Sequence, residues 1–187
     1  MLKSLIHTGE HKLKKPFIIL CLALIASALG GGAFAKSLPI SSLKQPQDSN
    51  VYTHKDAGVQ FEVPKGWKAK PDGEVITVSS GDESVQVVFW VPDEDTFDAA
   101  VKELDKELSK TIKNVKTTSK SKEDKHNGMA HFEEAGTGDV NGVTIAWSVD
   151  VLGAKKPLII LTFAAPDLLE KQAAEYMKLV GSIKKIE

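Results

Sequence analysis

The chain is 187 residues long, 42% hydrophobic and 26% charged, with a formal net charge of −1, which suffices for one domain with a sizeable core. Every basic residue is a lysine, and setting aside Lys3, Lys12, Lys14, Lys15 and Glu10 of the first 35 residues leaves 20 lysines against 24 acidic residues, a net charge of −4. A mildly acidic surface without the guanidinium clamp argues against nucleic acid as a partner. The single cysteine, Cys21, lies in the N-terminal apolar run, so removal of that run excludes disulfides and thiolate metal sites.

Residues 1–15 are polar and carry four lysines, Phe17 to Leu29 is apolar, and Ala33-Phe34-Ala35 precedes Lys36. Charged segment, short apolar segment and Ala-x-Ala in that order predict a secretory signal peptide over residues 1–35, cut between Ala35 and Lys36. The competing reading is an uncleaved anchor, since Pro16 to Ala35 is uncharged and about long enough to span a bilayer. Gly30 to Gly32 weaken it as a stable helix. Leu20 before Cys21 argues against lipid attachment. Either reading places the folded domain outside the cytoplasm, with membrane contact only through an uncleaved leader. Residues 36–50, polar with Pro39 and Pro46, predict a flexible tether.

Residues 51–187 predict one α+β domain. Val51 to His54 and Val59 to Val63 read as strands around Asp56-Ala57-Gly58. Pro64-Lys65-Gly66-Trp67 and Pro71-Asp72-Gly73 read as turns. Glu74 to Ser79 and Ser84 to Val91 form a hairpin, with Val85, Val87, Phe89 and Val91 on one face and Val88 and Trp90 partly covering the other. Asp95 or Thr96 caps a helix whose stripe is Phe97, Val101, Leu104, Leu108 and Ile112. Thr117 to Asp124, almost without apolar residues, predicts an edge strand kept from further pairing by lysines. Asn127-Gly128 and Asn141-Gly142 are hairpin turns. Val143, Ile145, Trp147, Val149 and Val151 share a face of a long strand. Pro157 to Ala165 is apolar at nearly every position and therefore reads as a central strand covered on both sides. A last helix runs from about Asp167 to Ile183, with Leu169, Ala173, Tyr176, Val180 and Ile183 inward. The expected architecture is an antiparallel sheet of about seven strands, including a four-strand meander over 117–165, flanked by two main helices.

The opening Gly58, Phe61, Pro64 and Trp67, a strand pair, a helix, a meander and a closing helix ending near Gly181-Ser182-Ile183-Lys184 resemble PsbP-like domains, whose fold DcrB-like envelope proteins share. The resemblance covers roughly residues 51–186. It implies an α+β sandwich without a known catalytic signature, in accessory or binding modules of secreted or envelope proteins. Its matched positions are structural, so no ligand-binding residue carries over. The chain departs from the lipid-anchored members in lacking their cysteine.

The chemistry-bearing residues are few. His126 and His131 flank the Asn127-Gly128 turn, and on a strand His131 and Glu133 share a face, so His126, His131 and Glu133 are the candidate metal ligands; their spacing matches no known pattern, and a solvated turn is the bland alternative. No Gly-x-Ser-x-Gly elbow is present, and Gly136-Thr137-Gly138-Asp139 lacks the following helix of a phosphate loop. The candidate ligand or partner surface is therefore aromatic: Trp90, on the more polar face of its strand, with Trp67 and Trp147 more often explained by core packing. These readings lead to a non-catalytic, cofactor-free, extracytoplasmic binding or accessory domain with an envelope protein or other extracytoplasmic component as partner. A hydrolase or metal-dependent enzyme around His126 and His131, and a membrane-anchored spacer, are the alternatives.

Overall fold

The computed structural model describes residues 50–92, 96–120 and 124–186. The expected leader, its expected Ala35–Lys36 cut, most of the expected tether and Asp95 lie outside the described residues. Among those described, eleven strands form two sheets. The smaller contains β1 (Val51–His54), β2 (Val59–Glu62) and β11 (Lys184–Lys185), in the order β1-β2-β11. The larger contains β3 (Lys68–Asp72), β4 (Val75–Ser79), β5 (Val85–Trp90), β6 (Lys113–Lys120), β8 (Met129–Val140), β9 (Val143–Gly153) and β10 (Pro157–Ala164), in the order β3-β4-β5-β10-β9-β8-β6. A short β7 (Asp124–His126) pairs beside β6 on β8. Neighbouring strands run antiparallel throughout both sheets.

The expected central strand is β10. All eight of its residues are buried, between β5 and β9. Its doubly apolar pattern follows from having two cores. On one face Leu158, Ile160 and Ala164 join Val85, Val87 and Phe89 of β5 and Val59, Phe61 and Val63 around β2. On the other face Ile159, Leu161 and Phe163 join Val88, Trp90, Val149 and Val151, roofed by α1 (Phe97–Thr111) through Leu104 and Ile112. The sheet is thus the middle layer, with α1 above it and the small sheet and C-terminal helices below.

Local signals account for the boundaries. Thr96 caps α1, its hydroxyl accepting from the Ala99 N–H at 3.3 Å. Asn127 and Gly128 have φ of 46° and 79°, and Asn141 and Gly142 have φ of 52° and 83°, the paired positive values of tight hairpin turns. Asn127 also donates to Ile183 O at 2.7 Å and to Gly181 O at 3.2 Å, tying the β7–β8 turn to the C-terminal segment.

Four expectations are corrected. Eleven strands are described where about seven were expected, because 68–72 and 184–185, read as turn and helix end, and the short 124–126 add to those read from the sequence. The closing helix is two helices, α2 (Pro166–Lys171) and α3 (Ala173–Gly181), broken at Gln172 (φ −96°, ψ 3°); of its expected inward stripe, Ala173 is exposed and Leu179 is buried instead. The polar edge strand begins at Lys113 rather than Thr117, since Ile112 closes α1 and the lysine-rich segment pairs at once with β8. The meander is therefore β8-β9-β10, with β6 and β7 sharing one edge of β8.

Candidate functional site

The two faces of the large sheet carry different chemistry. β9 alternates Trp147, Val149 and Val151 toward α1 with Ser148, Asp150 and Leu152 toward the opposite face. Register sets Asp150 directly across from Glu133 and Ser148 across from Ala135, and the strand period of two places His131 and Glu133 on the same side.

On that side His131 Nε2 and Asp150 Oδ1 are 2.9 Å apart, with Asp150 only 5% exposed. His131, Glu133 and Asp150 each offer a ligand atom, and all three atoms lie within 4.8 Å of one another. The His126 ring stands 5.8 Å from that of His131. Behind them Thr162 Oγ1 donates to Tyr176 Oη at 3.2 Å, and Ser148 Oγ shares a hydrogen bond with the same phenol at 3.2 Å. Burial pushes the Tyr176 phenol above its ordinary range, reinforced by the Asp150 charge.

The hydrogen bond to Asp150 holds the His131 imidazole above the usual histidine range; desolvation opposes it, while the charges of Asp150, Glu133 and Asp124 add to it. A pKa raised in the folded state stabilises that state below the unfolded value of about 6.5 and ceases to do so as pH rises through the folded value. The difference in unfolding free energy between the natural chain and His131→Gln is therefore expected to be largest near pH 6 and to shrink as pH climbs past about 6.5. Urea titrations across pH 5.5–9 check this (roughly the histidine window); a difference that grows with pH would contradict the pairing. His126 and Tyr176 also face this cluster, so the same titration in His126→Gln separates its contribution.

On the α1 side lies a groove of about 230 Å³. Leu104 and Leu108 of α1 form one wall, and Phe132, Trp147 and Val149 form its sheet side. Asp105 and Glu134 supply carboxylates, and Val115, half exposed, stands on the β6 side. Trp147 is 6% exposed, and its Nε1 is a buried donor without a hydrogen-bond partner among the described residues. Gly136 leaves room for its ring, since a Cβ there would sit 2.8 Å from Trp147 Cζ2.

The three tryptophans do not form one surface. Trp90, the candidate for partial exposure against the competing reading of core packing, is 5% exposed and belongs to the α1-side core; β5 is buried along its length because a core covers each of its faces. Trp67 is half-buried against the opposite core. Trp147 is core, as its strand face implied, but also walls the groove. His131 and Glu133 are brought together as their alternation suggested, while His126 stands beside them outside the three-residue cluster. Sequence reasoning missed Asp150 and the Tyr176 hydroxyl. The signal is the alternation Ser148-x-Asp150 within an otherwise apolar strand, overshadowed by the apolar residues on its other face. His54 is structural: it is 4% exposed, receives the Ala57 N–H on Nδ1 at 3.5 Å, and so places its Nε2 hydrogen toward Glu74 O at 3.0 Å.

Fold and site together define a class: an antiparallel α+β sandwich with an apolar groove on one face of its main sheet and a titratable cluster on the other. No protein-family model and no curated protein matches the chain. Among solved structures, a Bacteroides thetaiotaomicron protein aligns with 75% of this chain and 50% of its own at 12% identity and a TM-score of 0.50, so this chain spans half its length. LpqN of Mycobacterium tuberculosis, described as involved in cell envelope biogenesis, aligns over 74% of this chain and 92% of its own, at 13% identity and a TM-score of 0.46. PA94 of Pseudomonas aeruginosa, a protein of unknown function, aligns over 67% and 89%, at 14% identity and a TM-score of 0.42. The Bacteroides likeness is one of fold. No helix among the described residues is long and apolar enough to cross a membrane.

Proposed function

We propose that this chain is a non-catalytic, extracytoplasmic binding domain of the cell envelope, and that its ligand is a small, uncharged, mainly apolar molecule bearing one hydrogen-bond acceptor. The leader over residues 1–35 supports export. The resemblance to PsbP-like and DcrB-like domains supports an accessory rather than a catalytic role. The observation that carries the ligand class is an apolar groove walled by Trp147, whose buried indole N–H has no hydrogen-bond partner among the described residues. A buried donor without an acceptor costs about 1–3 kcal/mol, which a ligand acceptor recovers. The carboxylates of Asp105 and Glu134 beside the groove disfavour an anion.

The hydrolase alternative draws on the His131–Asp150 pair, which would orient an imidazole as a base. The nearby Ser148 hydroxyl, however, bonds to Tyr176 instead of His131. That geometry favours binding over nucleophilic chemistry.

The test uses the neutral fluorophore Prodan, an apolar bicycle with one carbonyl acceptor. It is expected to bind the full chain with a blue-shifted emission. Val115→Trp, which adds bulk at the half-exposed groove residue, is expected to weaken binding at least tenfold. Trp147→Phe is expected to weaken it about fivefold, the value of one hydrogen bond. Binding that is absent, or indifferent to both substitutions, would overturn the groove as the ligand site.

A further inference from the structure

We propose that His131, Glu133 and Asp150 form a binding site for one divalent transition-metal ion of the zinc class. The site lies on the face of the sheet away from the groove, so either site can fail without the other.

The donor set is one imidazole and two carboxylates, the nitrogen and oxygen ligands that zinc and its first-row neighbours accept without thiolate. The backbone places them without help from loops. His131 and Glu133 are alternate residues of β8, and Asp150 is the register partner of Glu133 on β9. Zinc bonds of about 2.0–2.2 Å put neighbouring tetrahedral donors about 3.4 Å apart. The three donor atoms already lie within 4.8 Å, and Glu133 is long and only partly buried, so its side-chain rotation closes the difference. Remaining coordination positions fall to water.

A further feature fits an ion. Asp150 is a carboxylate at 5% exposure, and a buried carboxylate needs a cation or several donors to offset its desolvation. His131 meets that need when protonated; a metal ion would take the place of the imidazole proton and be held by both side chains. Tyr176 stands behind the cluster, its phenol raised chiefly by burial and further by the Asp150 charge, and its hydroxyl is held by Ser148 and Thr162.

The experiment titrates Zn²⁺ alone into the chelator-washed full chain by calorimetry, with histidine-ring nitrogen NMR in parallel. His7, His11 and Cys21 are donors elsewhere in the chain, so the readout is the difference between the natural chain and its variants. The natural chain is expected to bind one more equivalent of Zn²⁺ than His131→Ala, and the His131 ring resonances should move with that equivalent. Glu133→Gln, a near-isosteric change at a partly buried residue, is expected to weaken that equivalent at least tenfold while leaving the circular dichroism unchanged. This variant keeps the test decisive should Asp150→Asn or His131→Ala fold poorly. Equal stoichiometry and affinity in the natural chain and Glu133→Gln, or His131 resonances indifferent to zinc, would overturn the proposal.

Discussion

Phe89→Ala is expected to remove about 3–5 kcal/mol of folding stability, a large part of the 5–15 kcal/mol typical of a domain. Phe89 is fully buried on β5, and its ring stacks on Phe61 of β2 with centroids 4.0 Å apart and planes 3° from parallel. Tyr52 of β1 continues the column, 6.2 Å from Phe61. This column joins the small sheet to the large one. Truncating Phe89 removes apolar surface from both layers and leaves a cavity between sheets that cannot collapse independently. Urea unfolding of the two chains measures the loss. A drop under about 1 kcal/mol would show that the two sheets repack freely. Phe61→Ala, combined with Phe89→Ala in a double-mutant cycle, should return a coupling of about 0.5–1.5 kcal/mol for the ring pair.

Gly136→Val is expected to cost about 3 kcal/mol or more through overpacking. A Cβ at Gly136 would fall on the Lys116 carbonyl oxygen, 3.0 Å from the Lys116 carbonyl carbon, as well as against Trp147. The Lys116 atoms are backbone of the paired edge strand, so relief requires β6 to move away from β8. Hydrogen exchange on β6 amides should accelerate together with the fall in urea midpoint. The same substitution displaces the Trp147 ring, so Prodan binding should fall with stability. An unchanged midpoint in even the smaller variant Gly136→Ala would refute the close approach. Gly138, two residues further along β8, is needed for the same reason, its Cβ position being occupied by Ile112 Cγ2. The Gly-Thr-Gly stretch is thus a packing feature of a strand.

Much of this fold is legible in the sequence because its signals are local. The doubly apolar run at Pro157 to Ala164 announces a strand with a core on each side. The Asn-Gly turns, the Thr96 cap and the α1 stripe through Leu104 and Ile112 each depend on residues within a few positions of one another. Where local pattern misleads, the deciding force is remote. Trp90 shares its strand face with the polar Gln86, yet the core under α1 buries it. The C-terminal periodicity looks continuous, while docking on two different elements, α2 on β9 and α3 on β2, accompanies its break at Gln172.

The candidate sites divide along the same line. His131 and Glu133 can be paired from strand alternation alone, since residues two apart share a face. Asp150 can be assigned to them only through the β8–β9 register, and Tyr176 only through the fold-back of α3. The groove requires α1 to lie across β8 and β9, and Trp147 becomes a site residue only there.

The sequence by itself determined most of the order of elements, the Asn-Gly turns and the two-sided burial of the central strand, because periodicity and backbone preference are written in adjacent residues. Only the tertiary structure decided which faces meet, which carboxylate stands beside His131 and which donor has no acceptor among the described residues. Those outcomes depend on register and layer packing between segments far apart in the chain, which no local pattern encodes.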